Sequence, residues 1–418
     1  MRITFVNHAS FVVETGAIKL LCDPWTEGLA FNNGWALLSQ TPPDCIDYSE
    51  ITHIWFSHEH PDHFSPGAVR AIPEDARQQI TVLFQETADK RVVNYCRKLN
   101  FKAVLEMQPD RWIDLDADTR ALCNPQIDEW QGDSWLCLKA RDGCLLNVND
   151  CGIYTPEAAR YIAEKTGPVD LLCTQFSYAA WQGNADDVAG HKHQAARQLQ
   201  HVKTQIEAIA PRYVLPFASF VWFCHAENYF LNEGMNSVAD AASFIETETS
   251  ASPVVLYPGD EWELGSANDW QNAADRYAHD SVQIHTNPEL LRSQPVGAQQ
   301  LTENAQKFIA RTVKNSSSLL TRMYLAMESY RHRRATGIRS TLRDFIDLLR
   351  LNVEPARIWL TDQNQAYLFT WPGGLRASNA RESDCDISMS AESLDHCFLI
   401  DWGGETLLIN GRYQEPHG

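Results

Sequence analysis

Ser57-His58-Glu59-His60-Pro61-Asp62-His63 sets three histidines and an aspartate within six residues. The run before it, Ile51-Thr52-His53-Ile54-Trp55-Phe56, is β-branched and aromatic and reads as a buried strand. Pro61 cannot donate a ladder hydrogen bond, so the strand should end near His58. The polar side chains then splay from one short strand-to-helix turn. Imidazole nitrogens with a carboxylate suit zinc, iron or manganese. His58 and His60 can serve one metal while Asp62 and His63 serve a second. The competing reading is a polar loop with chance histidines. Histidine fills only 14 of 418 positions, which makes so dense a run improbable by chance.

The whole chain sets the bounds. At 418 residues it has room for two or three domains, and 44% hydrophobic with 21% charged residues is ordinary globular composition. A net charge of −19 argues against non-specific binding to nucleic acid or to an anionic membrane. The 11 cysteines are odd in number, scattered, and form no Cys-x-x-Cys pair. Several sit in apolar runs such as Leu20-Leu21-Cys22, where they act as small hydrophobes, so a reducing cytoplasm is the expected compartment. Met1 to Val6 is strand-like with no signal-peptide core, and no apolar run reaches transmembrane length.

Outward from the histidine cluster, Ile3 to Val6, Ser10 to Val13 and Ile18 to Leu21 read as strands closed by Asp23-Pro24-Trp25. His8, on the turn Asn7-His8-Ala9-Ser10, reads equally as a pocket wall or a turn histidine. Residues 26–49 form a long loop with Phe31 and Trp35 inserted, long enough to suggest function. Strands and helices then alternate to about residue 260, the pattern of an α/β layered fold. Trp135 to Lys139 and Cys144 to Asn149 flank an Asp142-Gly143 hairpin signal and deliver Asp150 to a strand end. Thr155-Pro156 opens a helix. Val169 to Phe176 and Tyr213 to Phe220 are further strands, and His191 and His193 stand at a helix start.

Residues 1–265 thus read as one α/β domain, 266–298 as a polar connector, and 299–418 as a smaller α+β domain with helices at Gln299–Met327 and Thr341–Leu351. Helices with a small sheet there resemble sterol-carrier-like domains, which implies a lid, a homodimerisation surface or a binding domain for an apolar substrate. The run Arg331-His332-Arg333-Arg334 is a solvated helix end by default and an anion contact in the alternative.

His-x-His-x-Asp-His after a hydrophobic strand resembles the signature of the metallo-β-lactamase superfamily. The resemblance implies an αββα sandwich with Asp150 as the metal-bridging aspartate. The Asn7-His8-Ala9-Ser10 turn and Asp23-Pro24 are similar to the sugar-lactonate-hydrolase-like branch. Counting back from Asp133-Ser134, the slot of the usual third histidine of metal one falls on Glu129, with Asp128 or Asp133 as alternatives. A carboxylate there favours iron or manganese over zinc, and it resembles the diiron β-hydroxylases of natural-product pathways. The slot of the last metal histidine is Ala218; the nearest substitute is His225, with His191 and His193 as alternatives.

Asn147-x-Asn149-Asp150-Cys151, Gln175-Phe176-Ser177-Tyr178 and Pro216-Phe217-Ala218-Ser219-Phe220 resemble the metallo-β-lactamase-like part of CMP-N-acetylneuraminate hydroxylases and their Rieske-linked relatives, over about residues 1–265. Those relatives carry a Rieske cluster, which needs Cys-x-His and Cys-x-x-His pairs; this sequence has neither. The resemblance therefore implies a non-haem diiron oxygenase. It would use O2 as co-substrate, act on a small molecule, and take electrons from a separate ferredoxin or reductase. A dinuclear zinc or iron hydrolase of an ester, lactone or phosphodiester is the alternative, and a non-catalytic metal-binding scaffold the third. Asp62 would be a metal ligand in either enzyme and a proton shuttle in the hydrolase. Trp25, Trp35, Trp130, Trp181 and Trp222 suggest an aromatic-lined pocket.

Overall fold

A computed structural model describes residues 1–126, 132–315, 317, 319–327 and 354–415. Its contacts divide the chain into two units. The first comprises Met1–Gln182, Val188–Cys224 and Leu231–Glu289; the second comprises Gly183–Asp187, His225–Phe230 and Leu290–Gly418.

The first unit contains two seven-stranded sheets. One runs in the order Glu261–Glu263, Arg2–Asn7, Ser10–Thr15, Ile18–Cys22, His53–Phe56, Thr81–Gln85, Ala103–Met107. Its early strands form an antiparallel meander, and its last three extend the sheet in parallel. The other runs Ser252–Pro253, Tyr213–Phe217, Leu171–Gln175, Gly143–Asn149, Ser134–Ala140, Arg120–Pro125, Ile113–Asp114. The hairpin Ser134–Ala140/Gly143–Asn149 forms as the sequence suggests, and the strands after it pair in parallel.

Period-two alternation makes these sheets into layers. Leu20, Trp55 and Leu83 of the first sheet share one core with Leu136, Leu138, Leu145, Leu171 and Leu215 of the second. Their neighbours face outward. Leu21, Ile54, Phe56 and Val82 join a core with Val69, Val92 and Cys96 from the helices Pro66–Ala71 and Arg91–Lys98. Trp135, Cys137, Leu146 and Leu172 pack with Ile162, Val202 and Ile206 from Pro156–Thr166 and Val188–Ile209. Helices on both outer faces of a double sheet give the expected αββα order. Helix starts are chemically marked: Ser65 accepts from Ala68 N, and Thr155 accepts from Ala158 N with Pro156 at the first helical position.

Two stretches differ from the sequence reading. The loop 26–49 contains the short strands Leu29–Ala30 and Trp35–Leu37, the latter pairing with Val221–Phe223. Within the stretch read as a connector lies a helix, Trp270–Thr286, which buries Ala273, Ala274 and Tyr277 in the central core of the first unit. Its apolar stripe is narrow, so the surrounding Asn, Gln and Asp residues mask it in the sequence.

The second unit has a five-stranded sheet in the order Gly374–Ser378, Gln365–Thr370, Ala356–Leu360, Ile387–Met389, Tyr413–Gln414. The helices Ala298–Asn315, Ala391–Leu399 and Gly403–Asn410 accompany it. Arg412 is fully buried there; its Nε reaches Glu227 at 2.7 Å and its Nη2 reaches Glu392 at 2.6 Å. The Arg331–Arg334 run and the expected helix at Thr341–Leu351 lie outside the described residues. No helix among the described residues is long and apolar enough to cross a membrane.

Candidate metal centre

The strand His53–Phe56 stops just before Ser57, and the next residues curl back, with His63 N and Phe64 N both donating to His60 O. His58, Asp62 and His63 are buried and His60 is half-buried. His58 Nε2 lies 2.8 Å from His60 Nδ1, and the His58 and His63 ring centroids are 4.2 Å apart. Donor atoms fall into three overlapping groups, each within 4.8 Å: His58, His60 and Asp133; His58, His63 and Asp150; His8, Asp62 and His63.

Each of the other donors comes from a strand end. Asp133 immediately precedes Ser134–Ala140, and Asp150 immediately follows Gly143–Asn149. Asp150 Oδ2 sits 3.7 Å from His58 Nε2 and 3.3 Å from His63 Nε2, between the two ends of the histidine run. Asp133 Oδ1 is 3.6 Å from His58 Nε2.

Behind these donors stands Asp23, fully buried. It accepts from Ser57 N at 2.8 Å, Ser57 Oγ at 2.6 Å and Asn149 Nδ2 at 2.7 Å, and its Oδ2 lies 3.0 Å from His63 Nδ1. A carboxylate oxygen beside Nδ1 favours a proton on that nitrogen, so a metal-bound His63 would present Nε2 to the cluster. His8, Asp23 and Asn149 hold left-handed backbone at φ 40°, 37° and 54°. Three such non-glycine residues around one site mark backbone held against its preference by the surrounding structure.

The residues fit a cation. Asp62 Oδ1 and Asp150 Oδ1 are buried without a hydrogen-bond partner, and buried polar atoms are normally satisfied. Burial pushes Asp62 up, but His63 and His8 outweigh it and hold the carboxyl well below the usual range. Asp150 follows the same logic: burial raises it, His63 and His58 bring it down. Burial, with His58 beside it, pushes His60 down to about 4, which keeps that imidazole neutral and ready to ligate. Phe31 stands edge-on to His60, ring centroids 5.7 Å apart, and Trp35 packs on Phe31 at 4.6 Å.

Of the residues singled out by sequence, His58, His60, Asp62, His63 and Asp150 are thus brought together. Glu129 lies outside the described residues. His225 falls in the second unit, where its backbone N donates to Asn228 Oδ1 and its Nδ1 lies 3.4 Å from Glu227; it is in none of the three groups. Nor are His191, buried on Val188–Ile209, and His193. Asp23 was visible in the sequence only as part of an Asp-Pro pair, and Asp133 only as an alternative to Glu129.

Residues 2–115 match the family model described as Beta-lactamase superfamily domain. The chain is 27% identical over 249 residues to a Rieske 2Fe-2S iron-sulfur protein of Mycobacterium tuberculosis, covering 56% of this chain and 46% of that one. It is 23% identical over 247 residues to cytidine monophosphate-N-acetylneuraminic acid hydroxylase of Danio rerio, covering 56% and 40%. The chain therefore spans less than half the length of these curated relatives. Among solved structures, CmlA, a diiron beta-hydroxylase from Streptomyces venezuelae, aligns at 16% identity and a TM-score of 0.45, covering 63% of this chain and 54% of that one.

Proposed function

We propose that the chain is a diiron oxygenase that hydroxylates a small molecule, with electrons delivered by a separate carrier protein. The observation that carries this reading is Asp133, a buried carboxylate grouped with His58 and His60. An acid in that position makes the donor set harder and more anionic, which favours iron over zinc. Glu129, the first candidate for that slot in the sequence, lies outside the described residues. Two irons, when bound, supply the redox chemistry of O2 activation.

The chain's own residues then have separable tasks. His58, His60 and Asp133 would hold one ion and His63 and Asp62 the other, with Asp150 within reach of both groups. Asp23 fixes the His63 tautomer. Phe31 and Trp35 keep water from the His60 side. The likeness to proteins named as hydroxylases and Rieske proteins supports both the reaction class and an iron-sulfur donor. A dinuclear hydrolase is the second reading. It is favoured by Asp62 Oδ2 at 3.3 Å from His8 Nε2, a pair suited to shuttling a proton from water.

Metal analysis with optical spectroscopy on protein expressed in iron-supplemented medium tests the choice. The expected result is about two irons per chain, with an absorption band that bleaches on reduction and returns with O2. Two zincs, and no iron uptake when zinc is withheld, would overturn the oxygenase and send the search to esters, lactones and phosphodiesters.

A further inference from the structure

We propose that His8 is a ligand of the second metal, so that this ion is held by His8, Asp62 and His63 with Asp150 shared; the assignment rests on the dinuclear reading above. His8 belongs to the turn between Arg2–Asn7 and Ser10–Thr15, more than forty residues before the histidine run in the chain. Four observations bring it to the metal.

Its imidazole is 1% exposed, and its Nε2 points at Asp62 Oδ2 from 3.3 Å. One donor atom each from His8, Asp62 and His63 lie within 4.8 Å of one another, the span of a metal's first coordination shell. His8 Nδ1, on the other side of the ring, is buried with no hydrogen-bond partner. Asp62 Oδ1 is buried without a partner as well, so the hydrogen bond between His8 and Asp62 does not by itself satisfy this end of the site. Finally, the turn is held for the purpose. His8 N donates to Asn7 Oδ1 at 2.9 Å, and His8 O accepts from Ala218 N at 3.1 Å. The backbone sits at φ 40°, a region that histidine tolerates better than most residues. The ring of Trp25 meets His8 edge-on at 5.6 Å and fixes its plane.

The alternative role for His8 is a hydrogen bond to Asp62 alone, and the two roles predict different metal contents. Cobalt(II) titration of the metal-free full chain, followed by visible absorption and by bound metal per chain, separates them without reference to activity. Wild-type protein should take up about two cobalt ions, while His8→Gln should keep one and bind the other roughly 100-fold more weakly, the upper end of what losing even an outer partner costs. His8→Ala is the second variant, and added imidazole should restore its second cobalt ion and the corresponding absorption. Two cobalt ions bound by His8→Gln with unchanged affinities would overturn the ligand assignment and leave the dinuclear centre standing. A single cobalt ion in the wild type would overturn the dinuclear reading itself.

Discussion

At the scale of the residue, Asp23 is the most consequential group that belongs to none of the donor clusters. Ser57, Asn149 and His63 all converge on its carboxylate. Asp23→Ala should weaken metal binding by about 10–100-fold while leaving secondary structure unchanged, because it frees the His63 ring rather than removing a donor. Competition with a chelator reads this directly. His63 carries a second expectation. Burial alone would push it down, but Asp62 and Asp150 outweigh burial and hold it well above its ordinary 6.5 in the metal-free protein. It is therefore protonated near neutrality, and an arriving ion must displace that proton. Metal affinity should rise about tenfold per pH unit there, with one proton released per cluster filled, measurable by calorimetry in buffers of different ionisation enthalpy. The raised value also stabilises the metal-free fold. That stabilisation is complete below 6.5 and lost as pH rises through the folded-state value, so the metal-free protein should melt lower in alkali.

At the scale of the element, strands were easier to read than one of the helices. Ser134–Ala140 and Gly143–Asn149 show in the sequence as near-continuous apolar runs because one face meets the opposite sheet and the other meets helices, both apolar. The helix Trp270–Thr286 was hidden because it buries only Ala273, Ala274 and Tyr277. Tyr277 tests its weight: the ring stacks on Phe220 at 4.6 Å and the hydroxyl donates to Leu256 O at 2.9 Å. Tyr277→Ala should cost about 3–5 kcal/mol in chemical denaturation, the usual range for a buried aromatic; a residue in a loose connector would cost almost nothing. The candidate site divides in the same way. His58, His60, Asp62 and His63 lie within six residues, so their chemistry was readable from spacing alone. Asp133, Asp23 and His8 lie at the ends of other strands, and only sheet pairing, a long-range property, brings them to the cluster.

At the scale of the whole molecule, each of the two units is assembled from segments that are discontinuous in the sequence. Gly183–Asp187 and His225–Phe230 leave the sequence of the first unit and join the second. His225-Ala226-Glu227-Asn228 supplies Glu227 to Arg412 and Asn228 to Asn410 O, both within the second unit. No sequence signal announces this, because the pairing partner is 185 residues away. Arg412→Met should destabilise the second unit by about 3 kcal/mol, since it strands Glu227 and Glu392 without their cation. The measurement is thermal melting followed by a tryptophan probe in that unit, such as Trp371.

The hydrogen bonds at the cluster's edge run between the two sheets as well as within them. Asn149 Nδ2 reaches Asp23 at 2.7 Å, Ser134 Oγ reaches Ser57 O at 2.5 Å, and Ala218 N reaches His8 O at 3.1 Å. Each joins a strand end of one sheet to a strand end of the other. Ions bound at the cluster would therefore be thermodynamically linked to the spacing of the sheets at this rim. Whatever prises the sandwich open at this rim, such as denaturant, heat or a cavity in the central core, must also loosen the ions. By linkage, ions bound there hold the rim shut. The hinge of a breathing motion and the seat of the chemistry would then be the same few residues.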